Sequence, residues 1–287
     1  MSRESIDIIT THVHLAEETH PENSRAMKSI STLFYRIAKQ ILPSTLRMRL
    51  KKYRGAGLLT RFYLGRQPNP TVLSGPFVGL KYPAYGIGSE YFPKLLGTYE
   101  LELHPALRQL SKIPFKQIVI VGAGEGYYAG GMAKLFPTAS LTCYEADMDG
   151  RIAIAEMATA NQFGDRLKNR DFCKPTDLRD AILPGKLPLI VMDVEGGERD
   201  LLDLDAVPAL IDSHILVEVH DCYEPDLSEL LQDRFKLTHH CLVVHSVLRT
   251  LKDAQNLPLP DKVKRSILPL MDEGRPAAMC WFILTPF

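Results

Sequence analysis

From about residue 115 onward, short apolar runs alternate with segments of helical length. This alternation predicts strands and helices that take turns along the chain, as in a parallel, doubly wound sheet. The predicted strands are 117–122, 140–145, 167–172, 188–194, 214–220, 235–244 and 278–285. The predicted helices between them are 126–136, 149–163, 176–182, 199–211 and 226–233. We expect a Rossmann-like α/β fold of about seven strands, mostly parallel, with an antiparallel last strand and a helical N-terminal extension.

The pattern before residue 110 is different. Its first part is polar, and apolar positions then recur at three- and four-residue steps over 25–66, which predicts one or two helices. Glycine and proline punctuate 65–97, which indicates turns and irregular backbone, before a short helix at 97–110. The predicted organisation is a poorly ordered tail, a basic helical extension with a Gly/Pro-rich lid or connector, and a core domain that contains an insertion: 1–24, 25–110, 111–287 and 246–276.

Charge is balanced overall but uneven along the chain. There are 34 Lys+Arg and 34 Asp+Glu, so a nucleic-acid partner is not expected. The stretch from Asn23 to Ser89 nevertheless contains no acidic residue. Three interpretations stay open: a solvated helical face, a surface for an anionic acceptor such as a sugar nucleotide or lipid-linked glycan, and peripheral docking on an anionic membrane through 33–54.

Localisation signals are sparse. The N-terminus lacks an apolar signal region, and no run of about 18 apolar residues predicts a transmembrane helix. The five cysteines form no CxxC pair and are expected to be free thiols. We predict a cytoplasmic protein, with peripheral membrane contact as the alternative.

A glycine loop follows the first core strand, with Gly122, Ala123, Gly124 and Gly126 in G-x-G-x-G spacing. Glycine lets backbone amides approach a ligand closely, although a tight turn without a ligand has the same pattern. A dinucleotide fingerprint would place a third glycine where Tyr127 stands. The spacing instead resembles the S-adenosylmethionine sites of class I methyltransferases.

Acidic residues at the next strand ends extend this motif. Glu145, with Ala146 beside it, follows the second strand, and a carboxylate there can accept both hydrogen bonds of a ribose diol. That role would suit NAD as well as S-adenosylmethionine. Asp171 and Phe172 end the third strand and are candidates to lie beside an adenine.

The fourth strand runs into Met192-Asp193-Val194-Glu195-Gly196-Gly197-Glu198. This D-x-E-G-x-E string resembles the hallmark of the FkbM-type family of S-adenosylmethionine-dependent methyltransferases. The resemblance covers roughly 97–220 and includes GTYE, which contains Glu100, and VEVH at 217–220. It implies S-adenosylmethionine as cofactor and methyl transfer, usually to a hydroxyl oxygen. The implied acceptor is a small molecule, a glycan or a lipid-linked molecule.

One position departs from the class pattern, which usually has an acid two residues before the first loop glycine. This chain has Ile120 there. Glu100, Glu125 or Asp193 could compensate as a contact for the methionine amine. The departure also leaves open a binding module that has the fold but has lost catalysis. A dinucleotide-dependent oxidoreductase is a third hypothesis, against which Tyr127 argues.

The candidate catalytic residues are His220, Asp193 and Glu195. His220 ends the fifth strand, and its ordinary pKa of about 6.5 suits a general base or an acceptor-orienting group. A structural, hydrogen-bonded histidine is the competing interpretation. Asp193, His220 and Asp221 could also bind a divalent metal, an alternative that we do not favour because their spacing does not show that they converge.

Overall fold

The computed structural model describes residues 70–82, 90–183, 185–275 and 278–287, all of them within one contiguous unit. The predicted tail, the helices expected over 25–66 and the candidate membrane segment 33–54 therefore lie outside the described residues.

Seven strands in the described part form one sheet. In chain order they are β1 (Gln117–Val121), β2 (Ser140–Tyr144), β3 (Leu167–Arg170), β4 (Pro188–Met192), β5 (His214–Val219), β6 (His239–His245) and β7 (Cys280–Pro286). The order across the sheet is β3-β2-β1-β4-β5-β7-β6. The pairs from β3 to β5 are parallel, and β7 is antiparallel to both of its neighbours. The predicted fold class is confirmed.

The carboxyl ends of three central strands lie level at one edge of the sheet. Val121 is the register partner of Tyr144 in β2 and of Met192 in β4. Chain order reverses at β1, which has β2 on one side and β4 on the other. In open α/β sheets, ligands bind outside the carboxyl ends of the strands at such a switch point.

Both faces of the sheet are covered, as the apolar runs of the strands require. In β1, Ile118 and Ile120 pack into one apolar layer, whereas Val119 and Val121 pack into the other. The helices are α1 (Tyr91–Leu96), α2 (His104–Leu110), α3 (Tyr127–Leu135), α4 (Met148–Asn161), α5 (Pro175–Ala181), α6 (Glu198–Leu201), α7 (Leu227–Phe235) and α8 (Asp261–Lys264). None of the helices in the described ranges is long and apolar enough to span a membrane.

Two helical predictions need correction. The helix expected over 199–211 is broken, because the Asp203 carboxylate accepts the backbone N–H groups of Asp205 and Ala206 and forms a turn. Only α6 and a 3₁₀ turn at Pro208–Asp212 remain helical. The helix expected over 97–110 begins only at His104, after a 3₁₀ turn at Leu101–Leu103.

The glycine- and proline-rich region contains a helix that its turn residues concealed. α1 lies inside the segment expected to be irregular, and all six of its residues are buried. The helix is capped by Gly97, whose φ of 73° is left-handed. A Cβ on that glycine would lie 2.0 Å from the Ser74 carbonyl oxygen, so close chain packing requires glycine here.

The connector and the insertion both pack on the sheet layer that contains α3. A Cβ on Gly131 in α3 would lie 2.5 Å from the Phe77 ring, so the small residue makes room for the connector. From the insertion, Leu257 and Ile267 are buried in the same apolar layer. Both segments therefore cover the same face of the sheet.

Candidate functional site

The glycine loop joins three strand ends through its backbone. Gly122, Gly124 and Gly126 all have positive φ values, of 76°, 54° and 92°. A Cβ on Gly122 would lie only 1.7 Å from the Asp193 carbonyl oxygen, at the end of β4. The N–H groups of Gly122 and Ala123 donate to the Tyr144 carbonyl, at 3.0 and 3.1 Å, at the end of β2. Glycine at the first position is therefore a steric requirement.

Glu145 is fixed directly against this loop. The Gly124 N–H donates to its Oε2 at 2.6 Å, and the Asp147 N–H donates to its Oε1 at 2.8 Å. A Cβ on Gly150 would lie 2.6 Å from the Glu145 Cγ, so that glycine also makes room for the side chain. The structure thus brings together Gly124 and Glu145, and Ala146 follows with an exposed side chain.

The end of β3 contributes exposed groups to the same edge. The Glu145 N–H donates to the Arg170 carbonyl, and Asp171 and Phe172 follow directly. Both are exposed, and Phe172 has 65% of its surface accessible. An apolar ring left in water at the end of a parallel strand is a natural surface on which a flat base could stack.

The acid-rich turn after β4 directs the Glu198 side chain into the interior. Glu195 has a φ of 53° and Gly196 one of 111°, and this left-handed pair turns the chain into α6. The Glu198 side chain is fully buried. Its Oε2 accepts the Gly196 N–H at 2.9 Å, and its Oε1 lies 2.5 Å from the His220 Nδ1.

His220 therefore has a carboxylate partner that the sequence did not reveal. The two residues are 22 positions apart, and only the adjacency of β4 and β5 brings them together. The positions of Glu198 and Glu218 in the sequence do not show which of them is the partner of His220. The His220 side chain is only 5% exposed, and its Nε2 lies 3.5 Å from the Asp193 Oδ1.

The electrostatics of this pair favour a protonated imidazole. Burial lowers the pKa of His220, but its hydrogen bond to Glu198 and the nearby charges of Asp193, Glu198 and Glu195 outweigh that effect, so the net shift is upward. The Asp193 side chain is 44% accessible. Desolvation raises the pKa of Asp193, while the charges of His220 and Lys94 oppose that shift.

A second ionic group lies behind these residues and centres on Arg275, from the insertion. Its guanidinium contacts Glu218, Glu100 (3.1 Å) and Glu273 (2.9 Å). Desolvation raises the pKa of Glu100 to about 7 and that of Glu218 to about 9, because one guanidinium cannot fully compensate several buried carboxylates. The Tyr128 hydroxyl donates to the other oxygen of Glu100.

Ile120 stands where the class pattern has an acid, and its surroundings in the structure are apolar. Ile120 is buried in the core layer. Of the three acids considered as substitutes, Glu125 is fully buried and bound by Lys94 at 2.5 Å and by Tyr82. Glu100 is buried among the partners described above, so Asp193 is the one with an accessible carboxylate.

The residues that lie close enough to share a metal ion differ from the three that the sequence suggested. Asp193, Glu218 and His220 each offer an atom, and these atoms lie within 4.8 Å of one another. Asp221, which the sequence suggested as a ligand, instead accepts the Ser228 N–H at 2.8 Å near the start of α7. Glu218 is already bound to Arg275, so a cation at this point would compete with a guanidinium.

No protein-family model matches the chain, and no curated protein matches it. Among solved structures, it is similar to the O-methyltransferase TomG from Streptomyces achromogenes in complex with SAM, with a TM-score of 0.43 and 12% identity over 66% of this chain and 81% of that one. A putative O-methyltransferase from Klebsiella pneumoniae gives 0.42 and 15%, over 66% and 81%. The O-methyltransferase from Bacillus cereus in complex with SAH gives 0.43 and 12%, over 66% and 82%.

The fold assignment rests on the sheet itself. The order β3-β2-β1-β4-β5 is that of a doubly wound sheet, and β7 is inserted antiparallel between β5 and β6. The chain is therefore an α/β protein with a Rossmann-like fold.

Proposed function

We propose that this protein is an S-adenosylmethionine-dependent methyltransferase of FkbM type that methylates a hydroxyl group on a small molecule, glycan or lipid-linked acceptor. One observation carries the proposal. The loop from Gly122 to Gly126, the carboxylate of Glu145 bonded to it and the accessible carboxylate of Asp193 occupy neighbouring strand ends at the switch point of the sheet.

The residues at this edge fit the parts of the proposed cofactor. Glu145 would accept the ribose hydroxyls, the loop glycines would let the ligand approach the loop closely, and Phe172 with Asp171 would border the adenine. Asp193 would face the methionine ammonium in place of the missing acid at Ile120. When bound, this cofactor supplies a methyl group on a positively charged sulfur, and an acid-rich crevice favours such a cation.

The protein's part in the chemistry is to orient the acceptor and remove its proton. His220 would take the hydroxyl proton at Nε2, while Glu198 at Nδ1 fixes the ring and stabilises the imidazolium that forms. Asp193 and Glu195 would hold the acceptor at the mouth of the crevice. Because the pKa of His220 is raised, the fraction of neutral base, and with it the rate, should rise with pH through that pKa.

Calorimetry tests the cofactor assignment. We expect the wild-type protein to bind S-adenosylmethionine and its demethylated product, and Glu145→Ala to weaken that binding at least about tenfold, since it removes acceptors for charge-assisted hydrogen bonds. Asp165→Asn is the control, because that carboxylate is exposed and lies beyond the site. Absence of wild-type binding near millimolar ligand would refute the proposal.

A turnover assay separates the enzyme from the alternative, a methyltransferase-like binding module. Ile120 motivates this alternative, because the usual acid is missing there. Cofactor with a labelled methyl group is incubated with cell extract and either wild-type protein or His220→Ala. Label transfer by the wild type alone supports the enzyme. Cofactor binding without transfer to any component would favour the binding module.

A further inference from the structure

The imidazole of His220 is stacked against an accessible aromatic ring. The ring centroid of Tyr223 lies 5.7 Å from that of His220, with an interplanar angle of 26°. Tyr223 is 55% exposed, unlike the tyrosines at 82, 91, 99, 127 and 144, which are buried. A flat aromatic surface thus lies beside the imidazole proposed to take the acceptor's proton.

The charged groups that act most strongly on this imidazole are carboxylates. Those of Glu198, Asp193 and Glu195 raise the pKa of His220, and Glu195 also raises the pKa of the Tyr223 hydroxyl. Glu195 is exposed. The cations of the neighbouring network, Lys94 and Arg275, are each bound to buried carboxylates. The crevice therefore offers hydrogen-bond acceptors with negative charge.

This combination fits one kind of hydroxyl compound particularly well. A saccharide ring has polarised C–H groups on its face, which pack on the electron-rich face of an aromatic ring. Its rim carries hydroxyl groups, which donate strong hydrogen bonds to carboxylates. A phosphate or carboxylate on the acceptor would instead meet like charge, which discriminates against anionic sugars.

We propose that the acceptor is a neutral saccharide that stacks on Tyr223, with one hydroxyl facing the His220 Nε2 and a neighbouring hydroxyl bound by Asp193 or Glu195. This inference rests on the proposed methyltransferase function and selects among its acceptor classes. The acceptor oxygen forms a bond to the methyl carbon as the methyl–sulfur bond breaks. The electron pair of the broken bond stays on sulfur. The acceptor proton passes to the Nε2 of His220 and then to solvent.

The first test compares acceptors at equal concentration with a labelled methyl donor. The neutral panel contains methyl glycosides of glucose, galactose, rhamnose and fucose, together with neutral oligosaccharides. The comparison compounds are glucose 1-phosphate and catechol. We expect at least one neutral saccharide to be methylated about tenfold faster than either comparison compound.

Two results would overturn the inference. One is faster methylation of glucose 1-phosphate or catechol. The other is no methylation of any neutral saccharide by protein that binds S-adenosylmethionine in calorimetry. If the cofactor itself does not bind, the proposed function fails first, so the two failures are distinguishable.

The second test asks whether the Tyr223 ring does the stacking. Tyr223→Leu should raise the KM of the preferred saccharide about tenfold and leave the cofactor Kd unchanged, whereas Tyr223→Phe should keep a near wild-type KM. The control is Phe287→Leu, because Phe287 is 71% exposed and follows β7 at the opposite edge of the sheet. An unchanged KM in Tyr223→Leu, or equal damage in Tyr223→Phe, would overturn the role of the ring.

Discussion

The carboxyl ends of β1 and β2 and those of β4 and β5 lie along one edge of the sheet but are organised by different means. At β1 and β2, backbone groups make the contacts, as when the amide of Gly124 binds Glu145. At β4 and β5, buried side chains of opposite charge make them, as when Glu198 binds His220. The first half depends on the absence of a Cβ, and the second depends on the balance of charge.

This difference has a consequence for mutation. A loop built from close backbone contacts has no room for an added methyl group where another strand end meets it, as at Gly122. A network of buried ions leaves an uncompensated charge when one partner is removed. Substitutions that change volume should therefore damage the β1–β2 half most, and substitutions that change charge should damage the β4–β5 half most.

The largest effect is expected at Arg275. Arg275→Met removes the guanidinium that contacts Glu100, Glu218 and Glu273, and we expect the free energy of unfolding to fall by about 3–5 kcal/mol. Denaturant titration at neutral pH measures this. Arg179→Met is the matched control, because its ion pair with Asp180 is exposed and should contribute less than about 1 kcal/mol. Equal stability of the two variants would contradict the conclusion that the β4–β5 half depends on the balance of charge.

The same network predicts a pH dependence of wild-type stability. The folded-state pKa values of Glu100 and Glu218 are raised to about 7 and about 9. Between the unfolded pKa, about 4.3 for a glutamate, and these values, the folded state binds more protons than the unfolded state. Their contribution to stability is therefore lost as pH rises from 5 to 9. Denaturant titrations across that range should show the decline, and Arg275→Met should steepen it.

A slightly smaller loss is expected for Gly122→Ala. The added Cβ would lie 1.7 Å from the Asp193 carbonyl oxygen, at a φ of 76°, so strand ends must separate. We expect about 3 kcal/mol of destabilisation and weaker binding of S-adenosylmethionine. Gly164→Ala is the control, because its Cβ would meet no atom within 4 Å. If the Gly122 variant kept wild-type stability, close backbone contact would not organise the β1–β2 half.

These two halves also differ in how far the sequence predicts them. The glycine spacing and Glu145 were predictable because a strand, a turn and the next strand are close in the chain. The partner of His220 was not predictable, because Glu198 and Glu218 are both nearby acids and only side-chain direction separates them. Arg275 was missed altogether, since a loop residue of the insertion shows no periodicity that would indicate burial.

The catalytic pair gives the fourth prediction. Glu198→Gln should lower kcat about 10²-fold and leave the cofactor Kd unchanged, because the amide cannot stabilise the imidazolium as the carboxylate does. Steady-state kinetics and calorimetry measure the two quantities. Glu229→Gln is a matched control on α7, where that side chain is exposed.

The pH profile distinguishes this role from a purely structural one. Glu198 raises the pKa of His220, so its replacement should lower that pKa. If neutral His220 is the base, the rising limb of kcat against pH moves to lower pH in Glu198→Gln. A reduced kcat with an unmoved limb would make Glu198 a structural residue and would remove His220 as the titrating base.

Metal removal should have the smallest effect. Asp193, Glu218 and His220 lie close enough to share a cation, but Glu218 is bound to Arg275 and the Nδ1 of His220 to Glu198. The charge that a metal ion would supply to Glu218 is thus already supplied by a side chain, and we expect unchanged kcat and KM after dialysis against EDTA. Activity that is lost and then restored by Mg²⁺ or Mn²⁺ would make these three residues ligands. His220 could then no longer serve as the base, and the β4–β5 half would be organised around a metal ion.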